Sequence, residues 1–158
     1  MLIRPATEAD LPAIMEIERT PGFEQFFGRF DEAEHIAQLA DPDCRKLVAL
    51  DSADLVGFAL LLGFEHGNGH VRLNRIAVKK PGKGDGQILL DAIKSIAFEP
   101  PATARLWLRV AENNSRARHV YERNGFTLEE ILTNAGVLVT GQTVNIARYG
   151  LLREHWQR

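Results

Sequence analysis

The stretch Val78 to Leu90, VKKPGKGDGQILL, constrains this chain more than any other. It reads as the end of a strand, a loop with glycine at every second position (Gly82, Gly84, Gly86), and the first turn of a helix. Glycines so spaced let the backbone approach a ligand closely, and the helix start behind them aims unpaired N–H groups and a positive dipole end at the same place. The loop is therefore either a cradle for an anion, above all a phosphate, or a tight strand-to-helix turn that holds nothing. Two familiar phosphate loops do not fit. The Walker loop needs Gly-Lys-Ser/Thr where Gly84 is followed by Asp85, and the dinucleotide fingerprint needs a third glycine where Leu89 stands.

The rest of the chain alternates between short strands and helices. Leu2 to Pro5 forms a first strand; Thr7 is a helix N-cap with Asp10 three residues on, and Leu11, Ile14, Met15 and Ile17 continue that helix to about Arg19. Thr20-Pro21-Gly22 ends it. Phe23 to Phe30 holds four phenylalanines (Phe23, Phe26, Phe27, Phe30), and Asp31 with Glu34 opens a second helix through Ile36 and Leu39 by a capping box. Lys46 to Leu50 and Leu55 to Phe64 make a hairpin around Asp51-Ser52-Ala53-Asp54; the nearly unbroken apolar run Val56 to Leu62 is that of a central strand covered on both faces. His70 to Val78 is the next strand. From Gly86 the pattern becomes helical, with Ile88, Leu89, Ala92, Ile93 and Ile96 on one face, until Pro100-Pro101. Ala104 to Val110 is a strand and Ser115 to Arg123 a helix closed by Asn124-Gly125. Phe126 to Leu132 and Thr143 to Leu152 are two last strands joined around Gly136 to Gly141, followed by a short polar end. The order is β α α β β β α β α β β.

At 158 residues the chain suits one α/β core, so a single domain over 1–158 is expected. A net charge of −2 argues against a general nucleic-acid binder, although Lys79, Lys80 and Lys83 cluster around the glycine loop, as a solvated surface or as steering for a polyphosphate. The lone Cys44 suits a reducing compartment, and no apolar run is long enough to span a membrane. A cytoplasmic protein is expected.

Two motifs point further. Pro81-Gly82-Lys83-Gly84-Asp85-Gly86 resembles, with proline in first place, the Arg/Gln-x-x-Gly-x-Gly/Ala pyrophosphate loop of the GCN5-related N-acetyltransferases (the GNAT family). Asn114-x-x-Ala117-x-x-x-Tyr121 followed by Asn124-Gly125-Phe126 resembles that family's later motif, and the two stand in the same order with a strand between them. Singly, Asn114 also reads as a helix N-cap, Tyr121 as a half-buried helical tyrosine, and Gly125-Phe126 as a C-cap. The element order and the opening Leu2-Ile3-Arg4-Pro5-Ala6-Thr7 are similar to the family's too. The ending Tyr149 to Trp156 looks like the tail of its ribosomal-protein N-terminal acetyltransferase branch.

The resemblance implies an α+β fold in which a mixed, mostly antiparallel sheet splays between its fourth and fifth strands, with helices on both faces and coenzyme A in the gap. It implies acetyl-CoA as cosubstrate, no metal, and an amine acceptor that is a small molecule or a protein N-terminus. Phosphates would lie on the backbone of Lys83, Gly84, Asp85, Gly86 and Gln87; Pro81 withdraws an N–H there, and Asp85 sets a carboxylate beside a dianion. Ile76, Ala77 and Val78 would pair with the pantetheine arm, and Asn114 would bond it from the other side. Tyr121 would protonate the departing thiolate, and the Val78 N–H would meet the carbonyl oxygen as it gains charge. The strand offers Arg72, Leu73, Asn74 and Arg75 where some relatives carry a glutamate base, so His70 is the candidate base, with a solvent-facing turn histidine as its other reading. Deprotonating a lysine-like amine at pH 7 costs about 4 to 5 kcal/mol and an α-amine only about 1, which favours a peptide α-amine or another weakly basic amine. The phenylalanine cluster reads as ordinary core, or, as the resemblance implies, part of it would line the acceptor pocket. Relatives often pair through C-terminal strands, and Val137 to Val144 is apolar enough for a homodimer. A coenzyme A-binding module of the same fold without turnover is the alternative function.

Overall fold

The computed structural model describes residues 1–20 and 29–156. Seven strands, β1 (Leu2–Pro5), β2 (Cys44–Asp51), β3 (Asp54–Leu62), β4 (His70–Val78), β5 (Arg105–Ala111), β6 (Thr127–Val137) and β7 (Thr143–Leu152), form one sheet in the order β1-β2-β3-β4-β5-β7-β6. Every neighbouring pair is antiparallel except β4 and β5. The helices are α1 (Leu11–Glu18), preceded by a 3₁₀ turn (Glu8–Asp10), then α2 (Glu32–Ala40), α3 (Asp85–Ala97), α4 (Ser115–Arg123) and the one-turn α5 (Arg153–Trp156).

The sheet is covered on both sides because its central strands are apolar on both sides. Leu89, Leu90 and Ile93 of α3 are 0–1% exposed and pack with Leu47, Ala59, Leu61, Val71, Leu73, Leu106 and Leu108 on one face, where Ala117, Val120 and Tyr121 of α4 join them. Each such α3 side chain contributes roughly 1.5–3 kcal/mol by burial. On the other face Leu11, Ile14 and Ile17 of α1 pack on Val48, Phe58 and Ala77. Both early helix starts form as their caps dictate: Thr7 and Asp10 close one capping box, Asp31 and Glu34 the other.

Most boundaries shift by one or two residues, and three places differ in a way that has a physical cause. β6 continues to Val137 rather than stopping at Leu132, because the polar run Thr133-Asn134-Ala135-Gly136 is absorbed as ladder irregularities, with Asn134 at φ 51°, instead of turning the chain. α3 ends at Ala97, ahead of the two prolines. The polar end folds into α5, whose Trp156 stacks on Phe98 at 5.0 Å while Arg153 donates to the carbonyls of Thr103, Phe98 and Pro100 at 2.7–2.8 Å. Phe23, Phe26 and Phe27 lie outside the described residues. Phe30 packs edge-on against His35 at 5.6 Å and beneath the Arg75 guanidinium at 4.7 Å.

Candidate functional site

β4 and β5 pair only from His70↔Arg105 to Arg72↔Trp107, and beyond that register they part. The parting has a local cause in β4. Leu60 and Leu61 of β3 face Arg75 and Leu73, so Asn74 is an extra residue, and a bulge of this kind bends its strand. Between the separated strands lies a cleft of about 650 Å³, lined by Asn74 to Val78 of β4, the glycine loop, Leu108 to Ala111 of β5 and one side of α4.

Backbone pairing decides which β4 groups face the cleft. The Lys79 N–H donates to Val56 O at 2.7 Å, and in an antiparallel ladder alternate residues turn the same way, so Ala77 spends its backbone groups on β3. Those of Ile76 and Val78 turn into the splay. All three residues line the cleft, but Ala77 offers it no backbone bond.

Gly82 and Gly84 take φ of 91° and 90°, which side-chain-bearing residues avoid, and a Cβ at either would meet no atom within 4 Å. Gly84 is the N-cap of α3 and supplies no side chain, so the first N–H groups of the helix, from Asp85 through Gln87, are left without a capping side chain. Gly84, Gly86 and Gln87 line the cleft together with Pro81 and Gly82; the Lys83 and Asp85 side chains are not on its wall. The Gln87 side chain is bonded to Asn124 at 2.7 Å and to Asp91 at 2.9 Å, and Lys94 reaches the same Asn124 at 3.1 Å. These bonds tie the start of α3 to the end of α4 and hold the two lips of the cleft together.

On the opposite lip, Asn114 caps α4 through a bond from the Ala117 N–H at 3.3 Å and also lines the cleft. The helix closes with Gly125 at φ 93°, the Gly125 N–H on Glu122 O and the Phe126 N–H on Tyr121 O, and Phe126 packs back on Tyr121 at 5.7 Å. That cap fixes Tyr121, which lines the cleft and whose hydroxyl makes no hydrogen bond to any described residue. Burial pushes its pKa up to about 12. Tyr149, by contrast, is fully buried, donates to Glu122 at 2.6 Å and accepts from Arg118 at 2.9 Å. That three-residue network was invisible in the sequence.

His70 is not at the cleft. It is exposed at the bonded end of β4, its ring 3.4 Å from Arg105 Nη1, and eight residues of strand at about 3.3 Å each separate it from Val78. The candidate base of the sequence is thereby displaced by strand direction alone.

A buried ionic cluster adjoins the cleft on the α1 side. Glu18 (0% exposed) accepts from His35 Nε2 at 3.0 Å and faces Arg75 Nε at 3.6 Å; Arg75 (7%) also lines the cleft. His35 Nδ1 lies against Lys46 Nζ. Burial pushes the Glu18 carboxyl up, but the hydrogen bond from His35 and the positive charges of Arg75 and Arg19 outweigh it and hold it below the ordinary range. Burial lowers Lys46 from 10.5 to about 8. The unfolded chain therefore binds more protons than the folded one between about 8 and 10.5, and stability gains from this lysine as pH rises through that window. In urea unfolding at pH 7 and pH 10, the difference between wild type and Lys46→Met should move in favour of wild type at the higher pH. A difference that does not change with pH would show that Lys46 is not desolvated by folding.

Sequence patterning missed the arginines around the cleft, although their signal was present. Arg72, Arg75 and Arg109 interrupt strands otherwise rich in apolar residues, and a charge in such a strand faces something other than the core.

Three comparisons bear on this arrangement. The family model described as acetyltransferase (GNAT) family matches residues 11–126. A probable spermine N(1)-acetyltransferase of Bacillus subtilis subsp. natto is 38% identical over 80 residues, which is 46% of this chain and 53% of that protein, so the match spans about half the relative's length. Among solved structures, the spermidine N-acetyltransferase of Vibrio cholerae in complex with CoA and spermine superposes with a TM-score of 0.86 at 21% identity, covering 98% of this chain and 96% of that one. The ribosomal-protein-alanine N-acetyltransferase of Brucella melitensis gives 0.80 at 24%, covering 96% and 99%. At such identities the structures bear on the fold, and they share the sheet described above.

Proposed function

The chain belongs to the acetyltransferase (GNAT) family, and from that premise we propose that it transfers acetyl from acetyl-CoA directly to a primary amine. The observation that supports this most is the cleft itself: a helix start without a capping side chain on one lip and a tyrosine on the other, joined by a strand edge; the tyrosine hydroxyl and the backbone groups of that edge meet no partner among the described residues. Acetyl-CoA would supply the acetyl group as an activated thioester. The N–H groups of Gly84 through Gln87 would hold its pyrophosphate, aided by open space over Gly82 and Gly84. Ile76, Val78 and Asn114 would orient the pantetheine arm. The Val78 N–H would meet the carbonyl oxygen as it gains charge, and Tyr121 would protonate the departing sulfur.

Cys44 is no acetyl carrier. It stands first in β2, away from the cleft wall, and burial, with Asp41 and Asp43 nearby, raises its thiol to about 11, so it is not a thiolate near neutrality. Transfer is therefore direct. No described helix is long and apolar enough to cross a membrane, and we place the reaction in the cytoplasm, where a lone cysteine stays reduced. Two copies would pair through β6, an edge strand with Leu128 and Val137 exposed.

Calorimetric titration with acetyl-CoA, coenzyme A and ATP tests the reading. Binding of the first two with little for ATP, followed by amine-dependent thiol release, is expected; binding without release for any amine would instead favour the non-catalytic module. Gly84→Val should keep the fold at a cost of about 1–2 kcal/mol for the left-handed backbone. It should weaken acetyl-CoA by about tenfold or more by crowding the cradle. Undiminished affinity in a folded Gly84→Val protein would move the phosphate site elsewhere.

A further inference from the structure

The described walls of the cleft contain no carboxylate. They contain Arg75, Arg109, Arg116, Arg123 and His119. The two arginines on the sheet matter most, because of the face they occupy. On β5, Leu106, Leu108 and Val110 join the core under α3 and α4, so Trp107 and Arg109 turn to the opposite face, that of α1 and α2. On β4, Arg72 lies opposite Val71 and Leu73, and the bulge at Asn74 brings Arg75 to the same side, against Glu18 of α1. Three guanidiniums thus share this face: Arg75 and Arg109 line the cleft, and Arg72 lies close enough to feel the charge of both.

Their partners are unequal. Arg75 has Glu18. The neighbouring Arg105 and Arg148 share Glu129, and Arg148 also takes Glu130. Glu112 is bonded to Asn145. Arg72 rests on the Trp107 ring at 5.0 Å, and Arg109 has no ion pair, hydrogen bond or ring contact among the described residues. The Nε atoms of both are buried and unsatisfied. Burial lowers the Arg72 pKa, and the charges of Arg109 and Arg75 lower it further, a sign that the three repel one another. A guanidinium fork left in this state matches an oxyanion, carboxylate or phosphate, held by paired N–H donors. The phosphates of acetyl-CoA do not meet this need, since the cradle for them lies at the start of α3, on the other face.

We propose that the acceptor is an anionic amine, whose amino group enters the cleft while its own carboxylate or phosphate is held by Arg109, backed by Arg72 and Arg75. This rests on the acetyltransferase reading above and narrows it. The transfer forms a C–N bond and breaks a C–S bond, and the proton shed by the amine balances the one gained by the leaving sulfur. A polyamine is the opposite kind of acceptor. It would bring positive charge to three arginines, with no described carboxylate on the cleft wall to receive it.

The test is thiol release by the purified protein at saturating acetyl-CoA, whose binding is measured separately by calorimetry. The acceptors are the α-amino acids with their amides, O-phosphoethanolamine with ethanolamine, and spermidine. At least one anionic amine should exceed its neutral counterpart and spermidine in kcat/KM by about tenfold or more, and which pair shows it distinguishes carboxylate from phosphate. Arg109→Gln should raise the KM for that acceptor by roughly 10- to 100-fold while leaving the affinity for acetyl-CoA unchanged. Arg109→Lys, which keeps the charge and loses the fork, should fall between, and serves if the first variant does not fold. Spermidine or a neutral amine matching the best anionic one, or an anionic preference that survives both variants, overturns the proposal while acetyl-CoA binding leaves the broader reading standing. Failure to bind acetyl-CoA overturns both.

Discussion

Replacing Tyr121 by phenylalanine should lower kcat by about 10²- to 10⁴-fold, the span of a lost general acid, with KM for acetyl-CoA changed by no more than about threefold. The substitution removes one oxygen that bonds to no described residue and keeps the ring that packs on Phe126 and Tyr149 at 5.7 and 6.5 Å, so the fold has little to lose. A phenol raised to about 12 stays protonated throughout the working range. It is also a weaker acid than a thiol near 8.5, so handing a proton outright to a thiolate is uphill by roughly 5 kcal/mol. The transfer is favourable only if the phenol regains a proton from the amine as the new bond forms. It follows that the rate should rise with pH only as the acceptor amine deprotonates, and that no alkaline loss below about pH 11 should trace to Tyr121. A Tyr121→Phe protein that binds acetyl-CoA and retains a third or more of wild-type kcat would remove Tyr121 from the chemistry. The Tyr149→Phe variant is the control for a structural tyrosine: it loses the bonds to Glu122 and Arg118 and should act on stability.

The second large effect is on stability. Glu18→Ala should cost about 3–5 kcal/mol, because it leaves Arg75 and the His35–Lys46 pair buried without their carboxylate. Glu18→Gln, which keeps a hydrogen-bond acceptor but no charge, should cost less. The pH dependence follows from the lowered carboxyl: its folded value lies below the unfolded 4.5, so the contribution is complete above 4.5 and is lost as pH falls through the folded value. Urea midpoints of wild type and Glu18→Ala should therefore differ by a constant amount from pH 5 to 7 and converge in stronger acid. Equal stability at pH 7 would mean that the cluster is neutral in net effect, as some buried ion pairs are once desolvation is counted. Because Arg75 lines the cleft, Glu18→Ala should also change the KM for the acceptor, which separates this cluster from ordinary core.

What the sequence by itself determined was local and periodic. The glycine spacing from Gly82 to Gly86 dictates a left-handed, open loop ahead of α3; the Asp31–Glu34 box and the Asn124-Gly125-Phe126 closure dictate helix ends; and the apolar run of β3 dictates a central strand. Each depends on residues a few positions apart, within reach of backbone sterics and capping. Two such motifs in order were enough to point to the family. What only the tertiary structure decided depends on direction and register across the sheet. Strand direction carries His70 away from Val78 to the closed end of β4. A one-residue bulge at Asn74 both opens the splay and swings Arg75 toward Glu18, a partner far away in sequence. Parallel pairing that stops at Arg72↔Trp107 sets Arg72 and Arg109 close enough to repel, with no carboxylate among the described residues of the cleft wall. Side chains alternate faces every residue, so a single inserted position reverses what a strand presents. No spacing read along one chain reveals which strand lies opposite, and that opposite strand decides which charges face the cleft.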